Sequence, residues 1–296
     1  MGLRIATIGR NGQVARALAA AAEGQSGLTL EQAASSEADL RDHESLSRFL
    51  DRSAPDVLIN AGAYNFVDRA ETEGETAFAI NEAGPRFLAA LCAQRGIPFV
   101  HMSTDCVFDG TKADPYVEED APNPLSIYGR SKLAGERAVA EANPDALTVR
   151  VCWVFSGYAD NFVAKVISLA RDRPVLRIVD DQIGPPTYAP DIANALLRIA
   201  GAMRGAPGSL AGLLHLAAPD EMDRAAMARA IMAESLRQGG PAAEITGISS
   251  ADYAAAARRP LNSRLSGAQA TRMFALRWTP WPEALEQSVA AVLSRA

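Results

Sequence analysis

The sequence predicts an α/β fold: a doubly wound parallel sheet with helices on both faces and a smaller lobe toward the C-terminus. Three observations carry this prediction. Short apolar runs alternate with longer amphipathic stretches, a glycine turn (Gly9-Arg10-Asn11-Gly12) follows the first run, and the alternation loosens beyond Cys152. Strand-helix alternation favours parallel pairing, because each crossover carries a helix and successive helices cover the two faces.

Taken in order, residues 4–8 read as the first strand, bounded by the glycine turn. Residues 28–30, 57–60, 99–103 and 147–151 are short apolar runs of the kind a sheet buries on both sides. Between them, 77–95 and 125–142 carry helical periodicity with few breakers. Past Cys152, residues 161–170, 189–203 and 225–236 read as helices, and 176–179, 213–216 and 244–248 as strands. Linkers are expected at 181–186, with its Gly-Pro-Pro, and at 205–208; residues 280–296 read as a closing helix entered at a proline.

Composition narrows the functional classes. The chain has 296 residues, enough for one large domain or two joined ones, and a formal net charge of −6. It lacks the basic face that a nucleic-acid or anionic-membrane partner would need. Cys92, Cys106 and Cys152 form no CxxC pair, and His43, His101 and His215 are far apart in sequence, so no metal site is expected. The N-terminus runs straight into a strand, leaving no room for a signal peptide, and no apolar run approaches membrane-spanning length. A reduced, cytoplasmic protein is the expectation.

Gly9-x-x-Gly12-x-x-Ala15 lies between a strand and a helix, where such a turn cradles a pyrophosphate by close backbone approach. This is the context of a Rossmann-type cofactor site that includes Gly9, Arg10, Asn11, Gly12, Gln13 and Val14. Asp39-Leu40 offers a carboxylate either for the adenine amino group or simply for solvent, and Asn60-Ala61-Gly62-Ala63 ends the strand beside which a dinucleotide would lie. No acidic residue closes the second strand, where Gln32-Ala33-Ala34-Ser35-Ser36 stands. Arg10 either faces a 2′-phosphate or solvates the loop. NADPH is the expected cofactor, with NADH as the alternative. Residues 1–151 then form the NAD(P)-binding domain, with 186–212 returning to it, while 152–185 and 213–296 form a substrate-binding lobe.

Thr104 ends an apolar run, and Tyr128 and Lys132 are four apart on one predicted helical face. A phenol beside an ammonium, with a hydroxyl upstream, suits a nicotinamide-dependent carbonyl reductase, the lysine being expected to lower the tyrosine pKa. Asn81 either fixes the backbone below the site or caps a helix. His101 reads as a hydrogen-bonded core residue, and Arg259 and Asn262 either meet nucleotide phosphate or brace the lobe. The acids between Glu71 and Glu75 suit a helix first turn.

With these residues assembled, the chain resembles the extended short-chain dehydrogenase/reductases and, among them, the dTDP-4-dehydrorhamnose reductase family. The carriers are Gly9-Arg10-Asn11-Gly12-Gln13-Val14, Asn60-Ala61-Gly62-Ala63-Tyr64, Val67-Asp68-Arg69-Ala70-Glu71 and Ser103-Thr104-Asp105. Further on stand Val107-Phe108-Asp109-Gly110, Tyr128-Gly129-Arg130-Ser131-Lys132-Leu133-Ala134-Gly135-Glu136, Trp153-Val154, Asp181-Gln182-Ile183-Gly184 and Arg259-Pro260-Leu261-Asn262-Ser263-Arg264-Leu265. The resemblance runs nearly end to end. It implies reduction of the 4-keto group of a dTDP-6-deoxyhexulose, as in dTDP-L-rhamnose synthesis. Tyr128 would be the proton donor, Lys132 the ligand of the nicotinamide ribose and Thr104 the residue polarising the carbonyl. Val67, Asp105 and Cys106 would meet the substrate, and Trp153 either packs on the sugar ring or fills the core. Cys106 stands where the family usually has tyrosine, Cys152 replaces a common serine, Phe155 a common tyrosine, and Ala15 the third glycine.

Two other activities share parts of this pattern. A nucleotide-sugar epimerase would use the same tyrosine, lysine and glycine turn, and a noncatalytic cofactor-binding subunit, like the β subunit of methionine adenosyltransferase, is similar to the family. Homodimerisation is compatible with the fold.

Overall fold

The computed structural model describes every residue except Met1, Gly205, Pro207 and Ala296. Its first half alternates β1 (Leu3–Ile8), α1 (Gln13–Ala22), β2 (Leu28–Ala33), α2 (His43–Ser53) and β3 (Val57–Asn60). Two short helices follow, α3 (Val67–Ala70) and α4 (Gly74–Phe78), and a π-turn at Ala79–Ala83 leads into α5 (Gly84–Arg95). Then come β4 (Phe99–Thr104), α6 (Ile127–Ala142) and β5 (Leu147–Val151). β2 outruns its apolar run because ladder pairing is indifferent to side-chain polarity, and Glu31 and Gln32 continue the register opposite Ala6 and Thr7.

The second half runs β6 (Val154–Phe155), α7 (Phe162–Ala170), β7 (Val175–Val179), β8 (Ile183–Gly184), β9 (Thr187–Tyr188) and α8 (Ala189–Met203). It closes with β10 (Gly212–Leu216), β11 (Met222–Asp223), α9 (Arg224–Arg237), β12 (Glu244–Ile248), α10 (Ala268–Phe274) and α11 (Trp281–Leu293). Gly205 and Pro207 of the expected 205–208 linker, and Ala296 of the expected closing helix, lie outside the described residues.

Six strands form one parallel sheet in the order β10-β5-β4-β3-β1-β2. The chain reverses its direction of travel across the sheet at β1, which places a crevice at the C-terminal ends of β1 and β3. One face is covered by α1 and α8, packing Leu18, Ile192, Leu196 and Ile199 on Ile5, Val57 and Val149. On the other face, Leu46, Phe49, Leu50, Leu88 and Val139 come from α2, α5 and α6. A separate core joins Phe155, Val166, Ile167, Met227, Ile231, Leu285 and Val289. It forms the smaller lobe around α7, α9, α11 and the parallel pair β7-β12.

One expected boundary moves. Residues 213–216, assigned to the lobe from sequence, pair with β5 as the edge of the central sheet, and Ala270 of α10 packs into the same layer. Local apolar patterning marks such a segment as a strand but not which sheet receives it. Two sequence motifs also brace each other: Gly110, at φ +76, approaches the backbone of Leu261 so closely that a Cβ would lie 2.6 Å from its nitrogen. Asn262 donates to the carbonyls of Lys112 (2.7 Å) and Asp114 (3.0 Å), which makes it a brace of the lobe.

Candidate active site

Thr104 ends β4 at the C-terminal edge of the sheet, where parallel strands expose ligand-facing residues. Its Oγ1 accepts from the Cys106 amide at 3.2 Å, shaping a 3₁₀ turn over Asp105–Val107. α6 lies directly on that turn. Its helix begins at Ser126, whose Oγ accepts from the Gly129 amide at 3.1 Å. Gly129 and Gly135 permit the close approach: a Cβ would lie 2.2 Å from the Cys106 carbonyl oxygen at one and 2.0 Å from that of Asn81 at the other.

This packing sets Tyr128 beside Thr104. The phenol is 7% exposed and its Oη donates a long hydrogen bond, 3.4 Å, to Asn65 Oδ1. Burial, aided by the neighbouring Cys106 and Asp105, pushes its pKa above the ordinary phenol value, against the polar contact with the Thr104 hydroxyl. The expected lowering by Lys132 is therefore not found. Lys132 Nζ turns away from the phenol and donates to the Met102 carbonyl at 2.7 Å. Helical i,i+4 spacing placed the two on one face, but their polar ends diverge. Burial also lowers Lys132 itself to about 8, opposed by the charge of Glu136.

Asn81 is one of the structural anchors. Within the π-turn it accepts from the Tyr64 amide (2.8 Å) and donates to the Tyr64 carbonyl (3.1 Å) and to Ser131 Oγ on α6 (2.9 Å). It thus fixes the backbone below the site rather than capping a helix. His101 is fully buried and takes a hydrogen bond from Asn60 Nδ2 at its Nδ1, 3.2 Å away. Desolvation, together with the Lys132 charge, keeps the ring neutral. Of the acids at 71–75, Glu71 accepts from the Ile127 amide at 2.8 Å and Glu73 from Tyr64 and Arg69, leaving Glu75 in a helix first turn.

The glycine turn has the form a dinucleotide requires. Gly9 sits at φ +102 with Ala61 and Gly62 so near that a Cβ would be 3.1 Å from their backbone. At Gly12 a Cβ would meet no protein atom within 4 Å, so the open side of this turn is free for a close-lying ligand. Arg16 Nε bonds the Asn11 carbonyl at 3.1 Å, Val14 and Ala15 are buried on the sheet, and Gln13 links the turn to the Val154 carbonyl (3.1 Å) and Ser156 (2.8 Å). Asn60 Oδ1 accepts from the Gly62 amide at 3.1 Å, Ala61 donates to the Ile8 carbonyl at 3.0 Å, and Ala63 continues this strand end toward Tyr64. Leu40 is buried beside Gly62, while the Asp39 carboxylate is held by Arg41 at 2.7 Å. Arg10 reaches the Gln32 carbonyl and pairs with Glu37 at 2.5 Å. Glu37, which sequence reading passed over, is thus an acid at the end of β2; it becomes a neighbour of the cofactor loop only through the turn at 34–37.

Facing Thr104, Tyr128 and Lys132 across the crevice is the lobe. Val67 begins α3, half-buried against the Tyr128 cluster, and Cys106 is partly exposed. The buried Asp105 carboxyl is raised by desolvation, against hydrogen bonds from Ser263 and Thr104. Trp153, at φ +43, contacts Gly184, and the Arg224 guanidinium lies 3.4 Å from its ring centroid. Arg224 was not singled out from sequence; an arginine opening a helix carries no local signal. Arg259 binds Asp68 with two hydrogen bonds (2.7 and 3.1 Å), an additional brace between lobe and sheet domain.

Comparison with known proteins agrees with this geometry. The family model described as "RmlD substrate binding domain" matches residues 3–294. A dTDP-4-dehydrorhamnose reductase from Sinorhizobium fredii is 41% identical over 98% of both chains. One from Burkholderia thailandensis is 39% identical over 99% of this chain and 100% of its own. The structure superposes on a crystal structure of the Bacillus anthracis dTDP-4-dehydrorhamnose reductase in complex with NADP, with a TM-score of 0.87, 27% identity and full coverage of both chains. A glycine turn opening a six-stranded parallel sheet, a threonine-tyrosine-lysine site at its C-terminal edge and near full-length likeness to these enzymes place the chain in the dTDP-4-dehydrorhamnose reductase family.

Proposed function

We propose that this chain reduces the 4-keto group of dTDP-4-dehydrorhamnose, or of a close nucleotide-linked 6-deoxyhexulose, to the alcohol with NADPH. The observation that carries the reading is the buried, protonated Tyr128 set beside Thr104 at the C-terminal edge of the sheet, whose first strand opens into a glycine turn with open space at Gly12. When bound, the dihydronicotinamide supplies the hydride. Tyr128 holds the proton that the carbonyl oxygen takes up. Its buried phenol stays neutral, so that proton is on Oη when the more basic alkoxide develops. The Thr104 hydroxyl, which donates to Asp105 Oδ1 at 3.0 Å, can rotate to donate to the same oxygen.

Lys132 commits one of its donors to Met102 and keeps others for the ribose of the cofactor. A 2′-phosphate at the end of β2 would replace Glu37 as the partner of Arg10, and NADH remains a candidate because Glu37 can accept from a 2′-hydroxyl. The lobe, residues 152–185 with most of the chain beyond 216, would cover the nucleotide sugar. The described cysteines are all free thiols, which suits the cytoplasm. No described helix is long and apolar enough to cross a membrane. A homodimer is compatible with this reading.

The test is oxidation of NADPH with dTDP-4-keto-6-deoxyglucose and its 3,5-epimerase. Wild type should turn over, and Tyr128→Phe should lose at least about a hundredfold in kcat while still binding cofactor. A wild type inert toward dTDP-hexuloses would refute the reading.

A further inference from the structure

We propose that Arg224 receives the diphosphate of the nucleotide sugar, held in place by Trp153 and Phe162, with Arg259 as a second cation beside it. This rests on the nucleotide-sugar reading above. Arg224 opens α9, and its guanidinium carbon lies 3.4 Å from the Trp153 ring centroid and 5.1 Å from that of Phe162. Two aromatic rings fix the plane of the group without consuming its N–H donors. Trp153 is itself held: it occupies the left-handed region at φ +43, and a Cβ at Gly184 would lie 2.6 Å from its ring.

The donors of Arg224 are uncommitted. Its backbone amide bonds the Gln182 carbonyl at 3.2 Å, but among the described residues its guanidinium has neither a hydrogen-bond acceptor nor an ion-pair partner. The charged groups that act on it are Asp105, which favours its cationic form, and Arg259, which opposes it, and Asp105 adjoins Thr104 in the chain. Arg259 is engaged by Asp68 at 2.7 Å, which leaves Arg224 without that carboxylate, while Asp105 is raised by its own burial. Desolvation lowers Arg224 to about 10, which leaves it charged near neutrality.

An immobilised guanidinium with free, coplanar donors matches the oxygens of a phosphate, and a partly dry wall strengthens the attraction. Its location fits the chemistry of the substrate. In a nucleotide hexulose one sugar ring separates the reacting C4 from the phosphate-bearing C1, so the anion must bind near Thr104 without touching it. Trp153 then acts as a positioning residue for Arg224, with its ring face given to the guanidinium rather than freely offered to the sugar.

The experiment compares binding of dTDP, UDP, inorganic pyrophosphate and thymidine to the NADPH-loaded protein by calorimetry, in wild type and Arg224→Gln. The expected result is dTDP affinity at least about tenfold weaker in the variant, with thymidine affinity, NADPH affinity and melting temperature unchanged. If dTDP binds the variant as tightly as wild type, the inference is overturned and the reductase reading stands. If wild type prefers UDP or pyrophosphate to dTDP and the preference is lost in Arg224→Gln, the inference holds and the dTDP assignment fails. Wild type binding none of the three anions overturns it. Should Arg224→Gln also lose NADPH binding or melt early, Arg224→Met, which preserves the stacked methylenes, repeats the comparison; equal loss of dTDP and thymidine affinity there assigns a structural role and overturns the inference.

Discussion

At Lys132, burial and function oppose each other. The ammonium is 2% exposed, and desolvation sets its folded pKa at about 8, below the ordinary 10.5. The folded state therefore binds fewer protons than the unfolded state between those values, so this group makes stability rise with pH across that window; below pH 8 its full cost is present. Lys132→Met should consequently be more stable than wild type at pH 7, by on the order of 2 kcal/mol after loss of the Met102 hydrogen bond. The difference should shrink as the pH approaches 10, and catalysis should be lost throughout. Thermal melts from pH 6 to about pH 10 check this; a variant less stable than wild type at pH 7 would contradict it. Tyr128 shows the complementary case, where the same burial preserves the protonated form that a reductase must present.

Among the elements, α6 and the π-turn at Ala79–Ala83 work as one unit. Their contact depends on Gly135, which admits the Asn81 carbonyl, and on the Asn81 side chain, which ties Tyr64 to Ser131. Removing that amide leaves the Tyr64 N–H and C=O buried without their partner. Asn81→Ala should lower stability by about 2–3 kcal/mol, and kcat should fall because α6 carries Tyr128 and Lys132. Chemical denaturation alongside steady-state kinetics tests both, and a variant with wild-type stability and kcat would show that the clasp is dispensable. α6 is also pinned to β5 by the buried pair Arg150–Glu136, with contacts of 2.7 and 2.8 Å.

Over the whole molecule, sheet domain and lobe meet across the crevice at Asp68–Arg259 and at the Ala257 amide, which donates to Asp68 at 3.1 Å. The pair is half open to solvent, and such pairs contribute roughly 1 kcal/mol or less. Asp68→Ala should accordingly shift the melting temperature little while raising the KM for nucleotide sugar several-fold, since Arg259 and the 257–263 loop lose their tether. An unchanged KM would remove this clasp from substrate binding.

What the sequence by itself determined is the architecture and the family, together with the side chains proposed for catalysis. Strand and helix periods are local, and the residues at 57–60, 147–151, 189–203 and 244–248 form the expected elements with matching limits. Gly9, Thr104, Tyr128 and Lys132 were recognisable because their spacing is bound to a turn or a helix. Tertiary structure decided the rest: β10 joined the main sheet, Lys132 pointed to Met102 rather than to the phenol, and Glu37 met Arg10. It likewise brought Arg224 against Trp153, residues distant in sequence. Those outcomes depend on burial and long-range packing, which set the direction and solvation of each polar group, and no local pattern encodes either.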